Sequence, residues 1–184
     1  MENGASSYLR FINGDNNGFT EIVREYKDGL MLFINCNVGD IHISEEIADE
    51  TFLRLYVKKP EYKKEYSFKT WLYAIGRNTA VNYLKKLKRQ PYAPLEDYYY
   101  ISDETDIESE HIRNEEHLQV HKAIKRLNPE YSQVLYLVFF EELSTDECAV
   151  IMGKRKRQIY DLLYRAKESL KKELEKEGLT NGQI

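Results

Sequence analysis

The stretch Glu141–Leu170, EELSTDECAVIMGKRKRQIYDLLYRAKESL, decides the fold of the second half of this chain. The Ser144 hydroxyl is placed to cap a helix carrying Glu147, Ala149, Val150, Ile151 and Met152. Gly153 then supplies a sharp turn, because glycine tolerates positive φ without steric cost. A second helix follows, with Ile159, Leu162, Leu163 and Ala166 on one face and Lys156, Arg157, Arg165 and Lys167 largely off it. A helix-turn-helix with a basic second helix sets cations against phosphates and uncharged polar groups against base edges. An ordinary amphipathic helix pair produces the same apolar spacing, so the reading needs a second, independent signal.

Charge distribution supplies it. The chain is acidic overall, at −4, yet its charges come in blocks. Residues 1–52 hold ten carboxylates against Arg10, Arg24 and Lys27. In 53–89 the balance reverses, with eleven cations against Glu61 and Glu65. Residues 90–121 carry nine carboxylates against Arg113, and 154–172 carry eight cations against Asp161 and Glu168. A net-acidic protein with two basic blocks is no general polyanion binder. Phosphate neutralisation acts within a Debye length of ~8–10 Å, so the pattern points to two local nucleic-acid contacts. Solvated Lys-rich helix faces are the alternative.

At 184 residues the chain accommodates one domain or two small ones. The longest early apolar stretch, Gly29–Cys36, is far too short for a membrane span, and MENGASSYLRFINGD has neither the basic head nor the apolar core of a signal peptide. A cytoplasmic protein without membrane insertion is expected. Cys36 and Cys148 lack C-x-x-C or Cys/His zinc spacing, so buried free thiols are expected, with no metal and no cofactor.

Apolar periodicity predicts an all-α fold. A first helix spans about Phe19–Asn37. Ser44 caps a second, EEIADETFLRLYVKK, with Glu45 and Glu46 in the first turn and Pro60 at its end. Ser67 caps a third, FKTWLYAIGRNTAVNYLKKLKR. Residues 91–115 have no sustained period and read as an acidic linker. A helix resumes near Glu115, Asn128-Pro129 breaks it, a short apolar helix covers Tyr131–Glu141, and the last helix frays by Gly178. The division is 1–90, a linker 91–115, 116–178 and a tail 179–184.

Three ordered segments resemble the sigma factors of bacterial RNA polymerase, of the compact extracytoplasmic-function type. SEEIADETFLRLY resembles the family's Ala-Glu-Asp-hydrophobic-x-Gln-Glu-Thr-Phe-Leu helix. FKTWLYAIGRNTAVNYLKK resembles its Trp-Leu-x-x-Ile-Ala-x-Asn helix, and AIKRLNPEYSQVLYL through GKRKRQIYDLLYRAKESL its second domain. The departures are Asp49 for a usual Gln, Asn82 for Asp, Lys85 for Arg, Ser132 near a usual Arg, an Asn128 inserted before Pro129, and Arg155 where a small cap is usual.

The resemblance implies two helical domains, a region 2-like bundle and a region 4-like helix-turn-helix, joined by the linker. It implies core RNA polymerase and promoter DNA as partners, with an anti-sigma factor as a further one. The polymerase face would be Glu45, Glu46, Asp49, Glu50, Phe52, Leu53 and Leu55, an apolar centre with a charged rim; Phe52 equally suits the core. Promoter opening would fall to Tyr62, Lys63, Tyr66, Lys69, Trp71, Arg77, Asn78, Asn82, Lys85 and Lys86. Aromatics interleaved with cations hold unpaired bases and steady their backbone, and Asn78 and Asn82, one turn apart, present amides to a base edge. Trp71 and Phe68 equally suit the core. The distal element would be read by Arg155, Lys156, Arg157, Gln158, Asp161 and Arg165, with Arg157 suited to guanine and Gln158 to adenine. The linker carboxylates and Tyr98–Tyr100 would enter polymerase channels that otherwise hold nucleic acid, or act as a solvated spacer.

Two other classes stay open. A helix-turn-helix regulator would bind duplex DNA without core polymerase. A metal-dependent helical enzyme would use His117 and His121, one turn apart, with His111 upstream, although no third ligand is placed by spacing.

Overall fold

The computed structural model describes residues 3–89 and 115–176, and helices are the only regular elements among them. The acidic linker with Tyr98–Tyr100, and the tail after Lys176, lie outside the described residues. The first half begins with a helix the sequence reading does not anticipate, α1 (Asn3–Ile12), whose Tyr8 and Phe11 are buried. Arg10 ties it to the next helix through Asp15 and Glu21. α2 (Asn16–Val38) starts before Phe19 because Asp15 accepts from the Asn17 N–H and caps it there.

α3 (Ile41–Lys58) corrects the expected cap. Asp40, not Ser44, accepts from the Ile43 N–H at 3.0 Å. Ser44 lies inside the helix, buried, its hydroxyl donating to the Asp40 carbonyl at 2.6 Å. Glu45 and Glu46 therefore fall in the second turn, past the strongest influence of the helix dipole. α4 (Phe68–Lys88) is capped by Ser67 as expected, through the Thr70 N–H at 3.1 Å.

In the second half, α5 (Glu115–Lys125) leads to α6 (Pro129–Phe139). The latter starts two residues before Tyr131, because Asn128 caps it and a proline at the first helical position costs no hydrogen bond. α7 (Thr145–Met152) opens with a full capping box between Ser144 and Glu147. Gly153, at φ 62°, turns the chain into α8 (Lys156–Lys176), a left-handed position that favours glycine.

Leu30, Phe33, Leu55, Phe68 and Leu72 centre the first core; Ile124, Val134, Leu135, Ile151 and Ile159 centre the second. The two cores meet. α2 packs against α6 and α4 against α7, and the Phe33 and Tyr136 ring centroids lie 6.4 Å apart. No helix among the described residues is long and apolar enough to cross a membrane.

Candidate nucleic-acid and polymerase interfaces

The start of α8 presents a dense exposed surface. Arg155, Lys156, Arg157, Gln158, Asp161 and Arg165 are all exposed, while Ile159 and Ala166 on the same helix are fully buried. Arg155 offers no capping side chain, and Gln158 compensates by accepting the Arg155 N–H at 2.8 Å. Gln158 must release that bond to pair with a base through its oxygen. Lys156 is bonded to Asp146 at 2.7 Å, which raises its pKa; both groups are more than half exposed, so the pair is weak and open to exchange. The sequence reading missed Tyr160 and Tyr164, which are 52% and 70% exposed on the same helix. Their spacing of four residues off the apolar face was the available signal.

The loop between α3 and α4 is held by two tyrosine hydroxyls. Tyr8 donates to the Pro60 carbonyl at 2.6 Å, and Tyr62 donates to the Tyr66 carbonyl at 2.7 Å. The rings of Tyr8, Tyr62, Phe68 and Trp71 form one cluster, with neighbouring centroids 5.2–5.5 Å apart. Burial pushes the Tyr8 hydroxyl up to about 12, so it remains a donor across the physiological range. Tyr62 and Trp71 are half-buried in this cluster, and Phe68 is core. Tyr66 is the aromatic left open, at 47% exposure, beside exposed Lys63 and Lys64. Lys59 and Lys64 both hold positive φ, 41° and 57°, an uncommon conformation for residues with a Cβ.

Along α4 the predicted residues divide. Asn78, Asn82, Lys85 and Lys86 are exposed. Lys69 and Arg77 instead face the second half of the chain. Lys69 pairs with Glu141 at 2.7 Å and also donates to the Glu141 carbonyl at 3.2 Å. Arg77 donates to Gln133 at 3.4 Å, and burial lowers its pKa.

On α3, Glu45, Glu46, Asp49, Glu50 and Leu53 are exposed. Phe52 and Leu55 are not available as surface residues: they are 4% and 1% exposed, on the inward stripe shared with Ile47, Ala48 and Thr51. The exposed apolar groups are Leu53, Tyr56 and Val57, of which the sequence reading named only Leu53. Lys27 of α2 bridges Glu45 and Asp49 at 3.0 and 3.1 Å, and Arg54 lies 3.6 Å from Glu50.

His121 is buried with its ring edge-on to the stacked pair Tyr136 and Phe140, 5.8 Å from each, so it packs in a core position instead of lining a surface site. His111 and the side chain of His117 lie outside the described residues. Among the described residues, no three His, Cys, Asp or Glu gather as metal ligands. Cys36 and Cys148 are buried, and burial pushes the Cys148 thiol up to about 12.

Two family descriptions match separate parts of the chain. The family description "Sigma-70 region 2" matches residues 22–90, and "Sigma-70, region 4" matches 117–170. The ECF RNA polymerase sigma factor SigW of Bacillus subtilis strain 168 is 28% identical over 170 residues, covering 88% of this chain and 91% of that protein. The RNA polymerase sigma factor SigV of the same strain is 30% identical over 127 residues, covering 67% of this chain and 68% of that protein. Among solved structures, the sigma factor RpoE from Bartonella quintana, in complex with the anti-sigma factor NepR, shares the fold. Its TM-score is 0.63 at 17% identity, covering 85% of this chain and 96% of that one. The two matched regions in their order, together with these relatives, place the chain among the sigma factors of bacterial RNA polymerase, of the extracytoplasmic-function type.

Proposed function

We propose that this chain binds core RNA polymerase in the cytoplasm and directs it to specific promoters, with region 4 reading the distal element as duplex and region 2 opening the proximal one. The observation that carries the reading is the exposed cationic start of α8 on a helix-turn-helix, in one chain with a region 2 bundle that carries an open aromatic–lysine loop. As an initiation factor it supplies recognition, while the chemistry belongs to the polymerase. On duplex DNA, Arg157, Arg165 and Gln158 would take base edges and Arg155 and Lys156 phosphates; a good bidentate pair contributes about 1–3 kcal/mol of discrimination. In region 2, Tyr66 would stack on an unpaired base, Lys63 and Lys64 would hold its phosphates, and Asn78 and Asn82 would read an exposed edge.

The polymerase face on this reading is the exposed side of α3: Glu45, Glu46, Asp49 and Glu50 around Leu53 and Val57. Two exposed aliphatic side chains one turn apart, following the carboxylates along the helix, suit a partner patch with a dry centre and a charged edge. Residues 1–90 and 116–178 would act as separate modules tethered by the acidic linker, and an anti-sigma factor would restrain the protein by covering these faces. The test is capture of core polymerase by the tagged chain. The wild type retains core, and Leu53→Asp with Val57→Asp releases it. Equal retention by both would remove α3 from the interface. Duplex promoter binding by the chain alone, as tight as with core, would favour a regulator that works without polymerase.

A further inference from the structure

α8 puts more than cations on its exposed side. At 3.6 residues per turn, Arg157, Asp161 and Tyr164 share one stripe, at i, i+4 and i+7, across the helix from buried Ile159 and Ala166. Asp161 has an arginine one turn before it and another one turn after, yet it pairs with neither among the described residues. Tyr164, beside it on the stripe, is the most open of the large apolar side chains. Tyr160 stands nearer the edge, next to Lys156. A carboxylate and an uncharged ring are poor groups for a phosphate backbone, which cations hold better. In a major groove each has a use. Cytosine offers an N4 amino donor with no acceptor beside it, whereas adenine sets N7 next to its donor and guanine presents two acceptors that repel a carboxylate. Thymine alone carries a C5-methyl group for an apolar surface.

We propose that Asp161 and Tyr164 make the region 4 reader selective for two neighbouring pyrimidines of one strand. Asp161 accepts the N4 amino group of a cytosine, and the Tyr164 ring packs on the methyl group of a thymine. The inference rests on the reading of α8 as the helix that enters the distal element. With α8 laid along the groove, three residues advance it about 4.5 Å, on the order of one base step of about 3.4 Å, so the two bases are adjacent. Asp161 also works by exclusion, since guanine in place of the cytosine sets O6 and N7 against the carboxylate. Its negative charge lowers attraction to every duplex, so the residue trades general affinity for selectivity. Tyr164 needs only its ring for the methyl contact; a role on phosphate would need its hydroxyl.

The full chain with purified core polymerase is mapped to a start site, and the distal element of that promoter is randomised in a duplex library. Wild type should enrich a cytosine next to a thymine. Asp161→Ala should lose at least fivefold of the preference for the cytosine while binding the unselected library more tightly, because a negative charge has left. Tyr164→Phe should keep the thymine preference and Tyr164→Ala should lose it. Replacing that thymine by deoxyuridine removes the methyl group alone. It should weaken binding about fourfold for wild type and Tyr164→Phe, and leave Tyr164→Ala unaffected. Three results would overturn the proposal: weakening that is uniform over all sequences, a loss in Tyr164→Phe as large as in Tyr164→Ala, or a selected element whose bases respond to neither residue. If wild type with core selects no element beyond what core alone selects, the functional reading fails instead.

Discussion

α4 and α8 are both 21-residue basic helices, and in the sequence they look alike as nucleic-acid elements. The structure treats them differently. At the start of α8 the cations stand in solvent, and the pair that Lys156 makes with Asp146 is exposed. On α4 the row splits: Asn78, Asn82, Lys85 and Lys86 are open, while Lys69 and Arg77 are held by Glu141 and Gln133 of the other region. On the proposed function, the helix that would take duplex DNA is exposed at its start, whereas the helix that would take separated strands is part-covered by its own chain. A basic stripe in a sequence specifies a potential contact, and tertiary packing decides when it is offered.

Substitution at α8 should have the largest effect. Arg157→Ala and Gln158→Ala should each weaken holoenzyme binding to duplex carrying the distal element by about 1–3 kcal/mol if either makes a bidentate base contact. For Gln158 part of the loss would reflect the bond to the Arg155 N–H. Competition with mutated distal elements measures it, and a loss that is equal on every sequence would assign these residues to phosphates.

Tyr66→Ala should leave duplex engagement nearly intact and slow opening, by up to the ~1–3 kcal/mol that base stacking supplies. Asn78→Ala should do the same through a base edge. A template with a pre-melted bubble should rescue Tyr66→Ala more than Asn78→Ala, because capture of the exposed base is still needed. An identical salt-sensitive loss on duplex DNA for α4 and α8 substitutions would abolish the contrast between the helices.

A smaller effect is expected at Tyr8→Phe. The ring cluster stays, and only the hydroxyl that holds the Pro60 carbonyl is lost, a bond with a net contribution of about 1 kcal/mol. Open-complex formation should slow a fewfold with distal-element binding unchanged. A rate equal to wild type would show that the loop keeps its shape without the Tyr8 hydroxyl.

The contact between α4 and α7 also makes a pH prediction. Glu147 accepts from Ser67 and Thr70 across it and has a depressed pKa, so its contribution is present above the ordinary carboxylate pKa and is lost as pH falls through the depressed value. Compaction should hold from pH 8 to pH 5 and weaken only in more acid solution. Scattering across that range checks it, and expansion near pH 6.5 would implicate a histidine instead. The smallest effect is chemical: native Cys148, with its thiol near 12, should resist alkylation at pH 8, as mass spectrometry would register.

Much of this was legible in the residues, for physical reasons that differ by segment. Ser67 and Ser144 cap as read because each is the first side-chain acceptor ahead of an apolar run. At α3 two acceptors compete, and Asp40 wins because its carboxylate reaches the Ile43 N–H, leaving Ser44 to bond back into the helix. α1 escaped because only Tyr8 and Phe11 are large and fully inward, while Leu9 and Ile12 are exposed and blur the period. Phe52 and Leu55 could be placed on the wrong side because the apolar residues of α3 run nearly around the helix, with Leu53 and Val57 outside. The Glu141 and Glu147 contacts are invisible to any local pattern. Their partners lie 72 to 80 residues away, and each carboxylate has an ordinary local reading, a loop residue for one and a capping box for the other.

On the proposed function, this chain gives core polymerase a promoter preference through two separate interfaces. Its most direct test is in vitro transcription of fragmented genomic DNA by purified core, with and without the chain, with 5′ ends mapped. A new set of start sites that share two spaced sequence elements should appear. Arg157→Ala should relax the upstream element alone, and Asn78→Ala the downstream one alone. A transcript pattern unchanged by adding the chain would contradict it.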